Sequence, residues 1–485
     1  MNQPDPVTPP PRTLIAVLAL AGITVSLQQT FVIPLLPQLP TLLHTTPGNA
    51  AWAVTATLIA GAVSIPIVGR LADLWGKRRI LLSCLALLVM GSAVTALSAS
   101  LGWFVAGRAL QGTAAGVVTV GISLLRDHLP AHRLASATSV MSTSLGVGAS
   151  LGIPLSALLA QYADWRALFW TAGGLAAVAG LLVLLLVPRT SRAAGGRFDP
   201  LGALLLSSAL VCLFLAVSKG GSWGWTSGIT LGSFAGAATL LVLFGAWELR
   251  TPQPLIDLRV SRRPQVLLTN TASLVFGFSM LTSSLVFTHL LQMPTGTGYG
   301  FGESMLVAGL LQAPGGVCMI AMSPVSAMIT VRRGPRTTLM TGALVVACSY
   351  GFATLLHTQL WHVLLCSALV GSGIGLAYGA MPSLIMGAVP VSQTAAANSL
   401  NNLCRSVGTS TASAVTGLLL ASLTTTVGGQ VVPERSAFTT ILLIGATAAL
   451  LALVIAAFIP RRRPTTAADL PLASPTAVLR HEHTA

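Results

Sequence analysis

The chain has 485 residues, of which 53% are hydrophobic and 8% charged, with a formal net charge of +15 and a mean hydropathy of +0.81. A soluble surface needs roughly a quarter of its residues charged, so this composition excludes a large water-soluble protein. It points instead to a chain whose solvent is largely lipid.

Crossing a hydrocarbon layer about 30 Å thick takes about 20 apolar residues as a helix. Fourteen stretches of that kind lie near 13–36, 50–69, 80–98, 103–125, 136–160, 166–187, 200–217, 229–247, 265–292, 304–326, 337–355, 362–383, 394–421 and 436–458. They are continuously apolar, whereas the strands of a membrane barrel alternate, so an all-α membrane protein is predicted. Residues 1–12 are rich in proline and 461–485 in polar residues; both read as disordered tails. The first apolar run lacks a clear small-residue cleavage site and reads as a retained span. All six cysteines fall inside apolar stretches without metal-ligand spacing, so neither disulfide nor metal is expected.

Charge placement gives an orientation. With the N terminus inside, the inside segments hold 21 of the 26 Lys and Arg residues. Outside loops hold Arg166, Lys219 and Arg435, and Arg108 and Arg405 fall within spans. The positive-inside rule then predicts both termini in the cytoplasm. The basicity is an orientation signal and a contact for anionic lipid; a nucleic-acid partner is not expected.

The stretch GRLADLWGKRR, 69–79, concentrates five charged side chains on one short inside loop. It has a faint second copy. Pro66, Gly69, Gly76 and Arg78 correspond to Pro324, Ala327, Gly334 and Arg336 at a constant offset of 258, and Asp73 corresponds to Val331. That offset exceeds six spans with their loops and fits six plus two inserted. The predicted organisation is a six-helix bundle over 13–188, linkers with two inserted helices over 189–264, and a second six-helix bundle over 265–460. Repeated halves mark transporters, with the substrate site at the midplane between them.

These residues resemble the major facilitator superfamily, and within it the fourteen-spanner drug:proton antiporters. The loop 69–79 is similar to the family's signature between helices 2 and 3, through Gly69, Asp73, Gly76, Lys77 and Arg78. GRALQG, with Arg108, Gln111 and Gly112, resembles the helix-4 signature, and DWRALFW at 164–170 the loop before helix 6. NNLCRSVG at 401–408 resembles the helix-13 pattern. In the helix-5 motif Gly148 and Gly152 fit, but the proline stands one place late at Pro154 and the glycine pair is Ser156 and Ala157. In helix 1, Gln28 and Gln29 stand where these pumps often carry an acid.

The resemblance implies a secondary transporter working by alternating access, most plainly an exporter of drugs or amphiphilic metabolites, with the proton gradient as a candidate energy source. It also implies a protein that is not an enzyme, needs no cofactor, and is expected in the plasma membrane as a monomer. A transporter of another solute without proton antiport, or a non-transporting receptor, stays open. Gating is expected at Gly69, Asp73, Gly76, Lys77, Arg78, Arg79 and Asp127. The resemblance places Asp73 at the start of a second-half helix near Thr394 to Asn398, and the three basic residues are placed to pair with Asp127.

The pathway candidates are polar groups inside spans. Arg108 is the sharpest, since a guanidinium at helix centre costs about 2.5–3.5 kcal/mol on insertion scales; it either faces a cavity or is satisfied by backbone carbonyls. Gln28, Gln29, Thr30, Gln111, Asn270, Gln312, Tyr378, Asn402 and Arg405 are the others, each either lining the path or bonding helix to helix. All eleven acids sit in tails, loops or helix ends. Glu303 and His289 at the outer mouth are therefore the nearest proton carriers. A positive cavity without a facing carboxylate favours neutral, zwitterionic or anionic amphiphiles over permanent cations.

Overall fold

The computed structural model describes residues 10–460 apart from 33–34, 36–38, 46, 51, 189–195, 356–358, 391–392 and 428–429. The terminal tails expected at 1–12 and 461–485 therefore lie almost wholly outside the described residues.

Among the described residues, fourteen long helical rods follow one another. They are α1 Pro11–Thr30, α2 Trp52–Trp75, α3 Lys77–Leu97, α4 Leu101–His128, α5 Ala131–Tyr162, α6 Arg166–Leu186 and α7 Pro200–Trp223. Then come α8 Gly228–Glu248, α9 Pro264–Gln292, α10 Met305–Ala321 with Ser323–Arg333, α11 Pro335–Leu355, α12 Leu360–Met386, α13 Thr394–Ser422 and α14 Arg435–Ala457. Two of them are interrupted: α4 by a 3-10 turn at Thr113–Gly116, and α10 at Met322. Among the described residues, twelve rods are long and apolar enough to cross a bilayer. The other two, α5 and α13, run 32 and 29 residues and are long enough, but they are richer in hydroxyl and amide groups than an apolar span. The reason is where these two sit.

Helices α1 to α6 pack on one another, and so do α9 to α14; α5 packs across onto α10 and α12, and α13 onto α2. The two more polar rods therefore form the seam between bundles, where a purely apolar surface is not required. Helices α7 and α8 make a hairpin outside both bundles. Helix α7 lies along the seam, touching α2 and α13, while α8 packs mainly on α7 and leaves Ile229, Leu231, Val242 and Leu243 exposed. Apolar side chains bind α7 to the seam: Leu206, Leu210 and Phe214 join Ala62 and Ile65 of α2 and Leu403 of α13 in one buried cluster.

Short connections make successive rods antiparallel, so the odd-numbered rods start, and the even-numbered rods finish, at one end of the molecule, called here the basic end. At the opposite end the α13–α14 connection forms a hairpin, β1 Thr424–Val427 paired antiparallel with β2 Gln430–Pro433. The Tyr299 hydroxyl donates to the Pro433 carbonyl and ties the α9–α10 loop to it. Burial, and then the Glu434 charge, push the Tyr299 phenol above its ordinary value.

Candidate functional site

At the basic end the stretch 69–79 carries the end of α2 into α3. Gly69 lies where α2 meets α13; a Cβ there would run into Ser399 Oγ and come within 3.0 Å of the Ala395 carbonyl. Gly76 turns the chain at φ +103°, a conformation L side chains avoid. Between them Asp73 is buried, 3% exposed, and its Oδ2 accepts from the Ala396 backbone N–H at 3.0 Å. That amide lies in the first turn of α13, where unsatisfied N–H groups and the helix dipole favour an anion.

The remaining basic residues separate. Lys77 Nζ reaches both Asp127 oxygens at 2.7 Å and also donates to the Ser123 carbonyl at 3.3 Å. Arg78 does not pair with Asp127; it donates to the Leu184 carbonyl near the end of α6. Arg79 is exposed and has no ion pair among the described residues. The second copy repeats this geometry: Gly334 has φ +86°, and Arg336 donates to Ala457 O at the end of α14. Val331, in the place of Asp73, is 69% exposed. One side of the pseudo-symmetric closure is thus ionic and the other is not. On that other side Ser139 and Ser323 bridge α5 and α10, their hydroxyl oxygens 3.0 Å apart. Neither this bridge nor the role of Arg126, which donates to Thr394 Oγ1 and to Val389 O at 3.3 Å, is signalled by the sequence motifs.

Arg108 is 1% exposed and faces carbonyl oxygens within the first bundle. Its Nε donates to Ala53 O at 3.0 Å, and Nη1 to Gln28 O and Oε1 at 3.1 Å and to Gln111 Oε1 at 2.7 Å. Gln111 Nε2 passes the network on to Ser92 Oγ at 2.8 Å. Of the two alternatives, the structure places Arg108 among backbone and amide carbonyls, away from the main cavity. Gln29 and Thr30 are half-buried at the end of α1. Gly148 and Gly152 let α5 approach α1: a Cβ on Gly148 would meet Ile23 O at 2.5 Å, and one on Gly152 would collide with Thr30 Oγ1. Pro154 is carried within α5, which continues as helix through it.

In the second bundle, Asn401 joins Asn270 at 3.0 Å and Ser273 at 2.6 Å, gluing α13 to α9. Arg405 donates to Asn402 Oδ1 and stacks over Tyr378, 4.5 Å from the ring centroid. The Tyr378 hydroxyl in turn donates to Met280 Sδ at 2.9 Å. Met280 belongs to the wall of a cavity of about 460 Å³ between α9, α10 and α12, closed on its other side by Thr30 of α1 and Gly146 and Ala149 of α5. The cavity reaches His289 and Gln292 in the last turn of α9, and Gln312 donates across it to Thr288 Oγ1 at 3.0 Å.

The lining holds no Asp, Glu, Lys or Arg among the described residues; His289 is the titratable member. Glu303 lies off this lining, in the α9–α10 loop, where its backbone N–H donates to Leu291 O at 2.8 Å. The lining residues of α9 missed in the sequence include Met280, Ser284, Thr288 and Gln292. They recur every fourth residue on one face of α9, a periodicity visible in the sequence but obscured by the apolar residues on every side.

Comparisons agree with this geometry. The family model described as Major Facilitator Superfamily matches residues 18–413. The chain is similar to the tetracenomycin C resistance and export protein of Streptomyces glaucescens, 31% identical over 433 residues, covering 87% of this chain and 77% of that one. It is 28% identical to the multidrug resistance protein Stp of Mycobacterium tuberculosis (76% and 68% covered). It also matches an MFS-type transporter of that organism at 28% identity, spanning only 60% of that protein's length. Among solved structures, the human organic anion transporter MFSD10 (TETRAN) superposes with a TM-score of 0.66 at 18% identity, covering 93% of this chain and 100% of that one.

Proposed function

The chain belongs to the major facilitator superfamily, and on that premise we propose that it exports neutral, zwitterionic or anionic amphiphiles across the cytoplasmic membrane by alternating access. The observation that carries this reading is the uncharged cavity between the bundles, about 460 Å³ in volume, set apart from the basic end by the Asp73–α13 contact. That volume is within the range of drug-sized sites. The positive-inside rule puts the basic end in the cytoplasm, so the cavity belongs to the outward-facing half of the cycle. Opening then requires Asp73 to leave α13 while the opposite end closes over His289 and Gln292.

The substrate class follows from what the wall lacks. A permanent cation entering the cavity would leave water without a carboxylate to offset its charge, a large cost in an apolar surrounding. Arg405, beyond the Met280 floor, makes the surrounding more positive. Methionines at 280 and 319 and the Phe287 ring supply apolar surface, and Ser283, Ser284, Ser367 and the two glutamines supply hydrogen bonds for an amphiphile. Export is the direction that the names of the Streptomyces and Mycobacterium relatives support, and the proton gradient is the energy source.

The test is accumulation in cells that lack their own pumps and express this chain. Tetracenomycin C should accumulate less than in cells without the chain, and ethidium equally in both. Efficient ethidium export with tetracenomycin C unaffected would overturn the substrate class.

A further inference from the structure

Residues 279–284 of α9 read SMLTSS, a polar run inside an otherwise apolar helix. An α-helix joins each backbone N–H to the carbonyl four residues earlier, so Ser283 N–H is due at Ser279 O. A side chain stands at that rung. The Tyr350 hydroxyl of α11 donates to Ser279 O and accepts from Ser283 N–H at 3.0 Å. The ring is fully buried, and α14 closes the space around it. Ser279 Oγ donates to Gly445 O at 3.2 Å, and a Cβ on Gly445 would come 3.2 Å from Tyr350 Cζ and 3.1 Å from Thr282 Cγ2. Neighbouring hydroxyls serve the carbonyls of α9: Thr282 Oγ1 donates to Phe278 O at 2.9 Å and Ser283 Oγ to Met280 O at 3.0 Å. A membrane helix tolerates a disturbed rung where such groups satisfy the backbone.

The rung divides α9 into halves with different attachments. Below it, Gln265 Nε2 donates to Leu384 O of α12 at 2.7 Å, Asn401 of α13 to Asn270 and Ser273, and Ser273 Oγ to Met381 Sδ of α12 at 3.0 Å. Beyond it, the side-chain hydrogen bond to another helix among the described residues is the one from Gln312 to Thr288. This less tethered half supplies most of α9's share of the cavity wall, through Ser284, Phe287, Thr288, His289 and Gln292. Helix α11 gives no residue to the lining, so Tyr350 approaches α9 from behind that wall. A group inserted in the ladder lengthens one side of a helix and bends it away from that side. Here the bend inclines the outer half of α9 toward the cavity.

Building on the alternating-access reading, we propose that Tyr350 is a positioning residue of the transport site, its hydroxyl a removable rung of α9. The hydroxyl is inserted when the outer half inclines over the cavity, and it steps aside when α9 straightens and the mouth opens. Both forms keep their groups bonded. A carbonyl oxygen has two lone pairs, so Ser279 O can take Ser283 N–H directly and still accept from Tyr350. The outer half can then cover the mouth while Asp73 keeps the basic end latched, a motion that rocking of two rigid bundles does not provide.

The test uses the full chain in lipid nanodiscs, with the six free cysteines replaced. It adds no substrate, so a failure of the export reading leaves it standing. Spin labels at Leu267→Cys and Gln292→Cys, exposed positions on either side of the rung, report on α9 alone. With Tyr350 in place two distances are expected, the longer that of an uninterrupted helix at about 1.5 Å per residue. Tyr350→Phe removes the hydroxyl and keeps the ring, so the shorter population should be lost. Between Gln292→Cys and Leu97→Cys, exposed at the outer end of α3, the same substitution should lengthen the distance across the mouth. A single distance within α9 while Tyr350 is present would overturn the proposal without recourse to the phenylalanine variant. So would a Tyr350→Phe chain that keeps both α9 populations, whether or not its unfolding midpoint falls, since the tyrosine would then only pack.

Discussion

Single residues here are defined by which oxygen faces which nitrogen. Arg108 illustrates this. Its guanidinium is held by the Ala53 and Gln28 carbonyls and by two glutamine side chains, so it organises α1, α2 and α4 of one bundle. Removing it strands several buried acceptors at about 1–3 kcal/mol each. Arg108→Ala should therefore lower thermal stability in detergent, read as an earlier unfolding midpoint, and Arg108→Lys should recover part of the loss. An Arg108→Ala protein as stable as the native chain but unable to transport would return the residue to a substrate-contact role. Residue identity alone could not decide between these, because the alternatives differ in the rotation of α4 about its axis by a fraction of a turn.

At the scale of elements, glycine positions sort into two kinds. Gly69 lies on the seam between α2 and α13, whereas Gly408 lies inside the second bundle, where a Cβ would run into the Leu274 carbonyl of α9. Filling a packed contact costs about 1–3 kcal/mol, but who bears the cost differs. Gly408→Leu should destabilise the fold itself and lower the unfolding midpoint. Gly69→Leu should leave the bundles intact and disfavour only the closed basic end, with thiol labelling of Thr119→Cys at the seam rising several-fold. Equal stability losses in the two variants would contradict that division.

The sequence carried much of this level. The rods, the glycine turn at Gly76 and the approach at Gly69 were legible because glycine and helix-end chemistry act locally, whereas the placing of Asp73 near Thr394–Asn398, a contact 323 residues apart, came from the family resemblance. The facing of side chains in nearly all-apolar helices was not, since such helices have no polar face to set their rotation. That is why Arg78 and Arg79 stand apart from Asp127, and why the α9 stripe of Met280, Ser284, Thr288 and Gln292 went unseen. The buried Asp199 and Glu248 were out of reach for another reason. Asp199, at the start of α7, is held by the Trp247 indole of α8, and Glu248, at the end of α8, accepts from Leu255 N where the chain folds back over the hairpin, contacts that no local pattern encodes.

For the whole molecule, the two bundles meet through a polar seam with one ionic latch, and the inserted hairpin lies along that seam. Lys219 of α7 stands over the Trp52 ring of α2, 4.7 Å from its centroid. The hairpin is thus held to α2 at its outer end, while the buried cluster of Leu206, Leu210 and Phe214 seats α7 on both α2 and α13. The account's central claim is that the bundles part at the basic end when the cavity end closes. The most direct measurement is the distance distribution between spin labels at Trp75→Cys and Arg333→Cys, both exposed positions on opposite bundles, with the six free cysteines replaced and the protein in a bilayer. Two populations are expected, the shorter matching this structure and the longer gaining when Gly69→Leu is added. A single distance, unchanged by that substitution, would contradict the account.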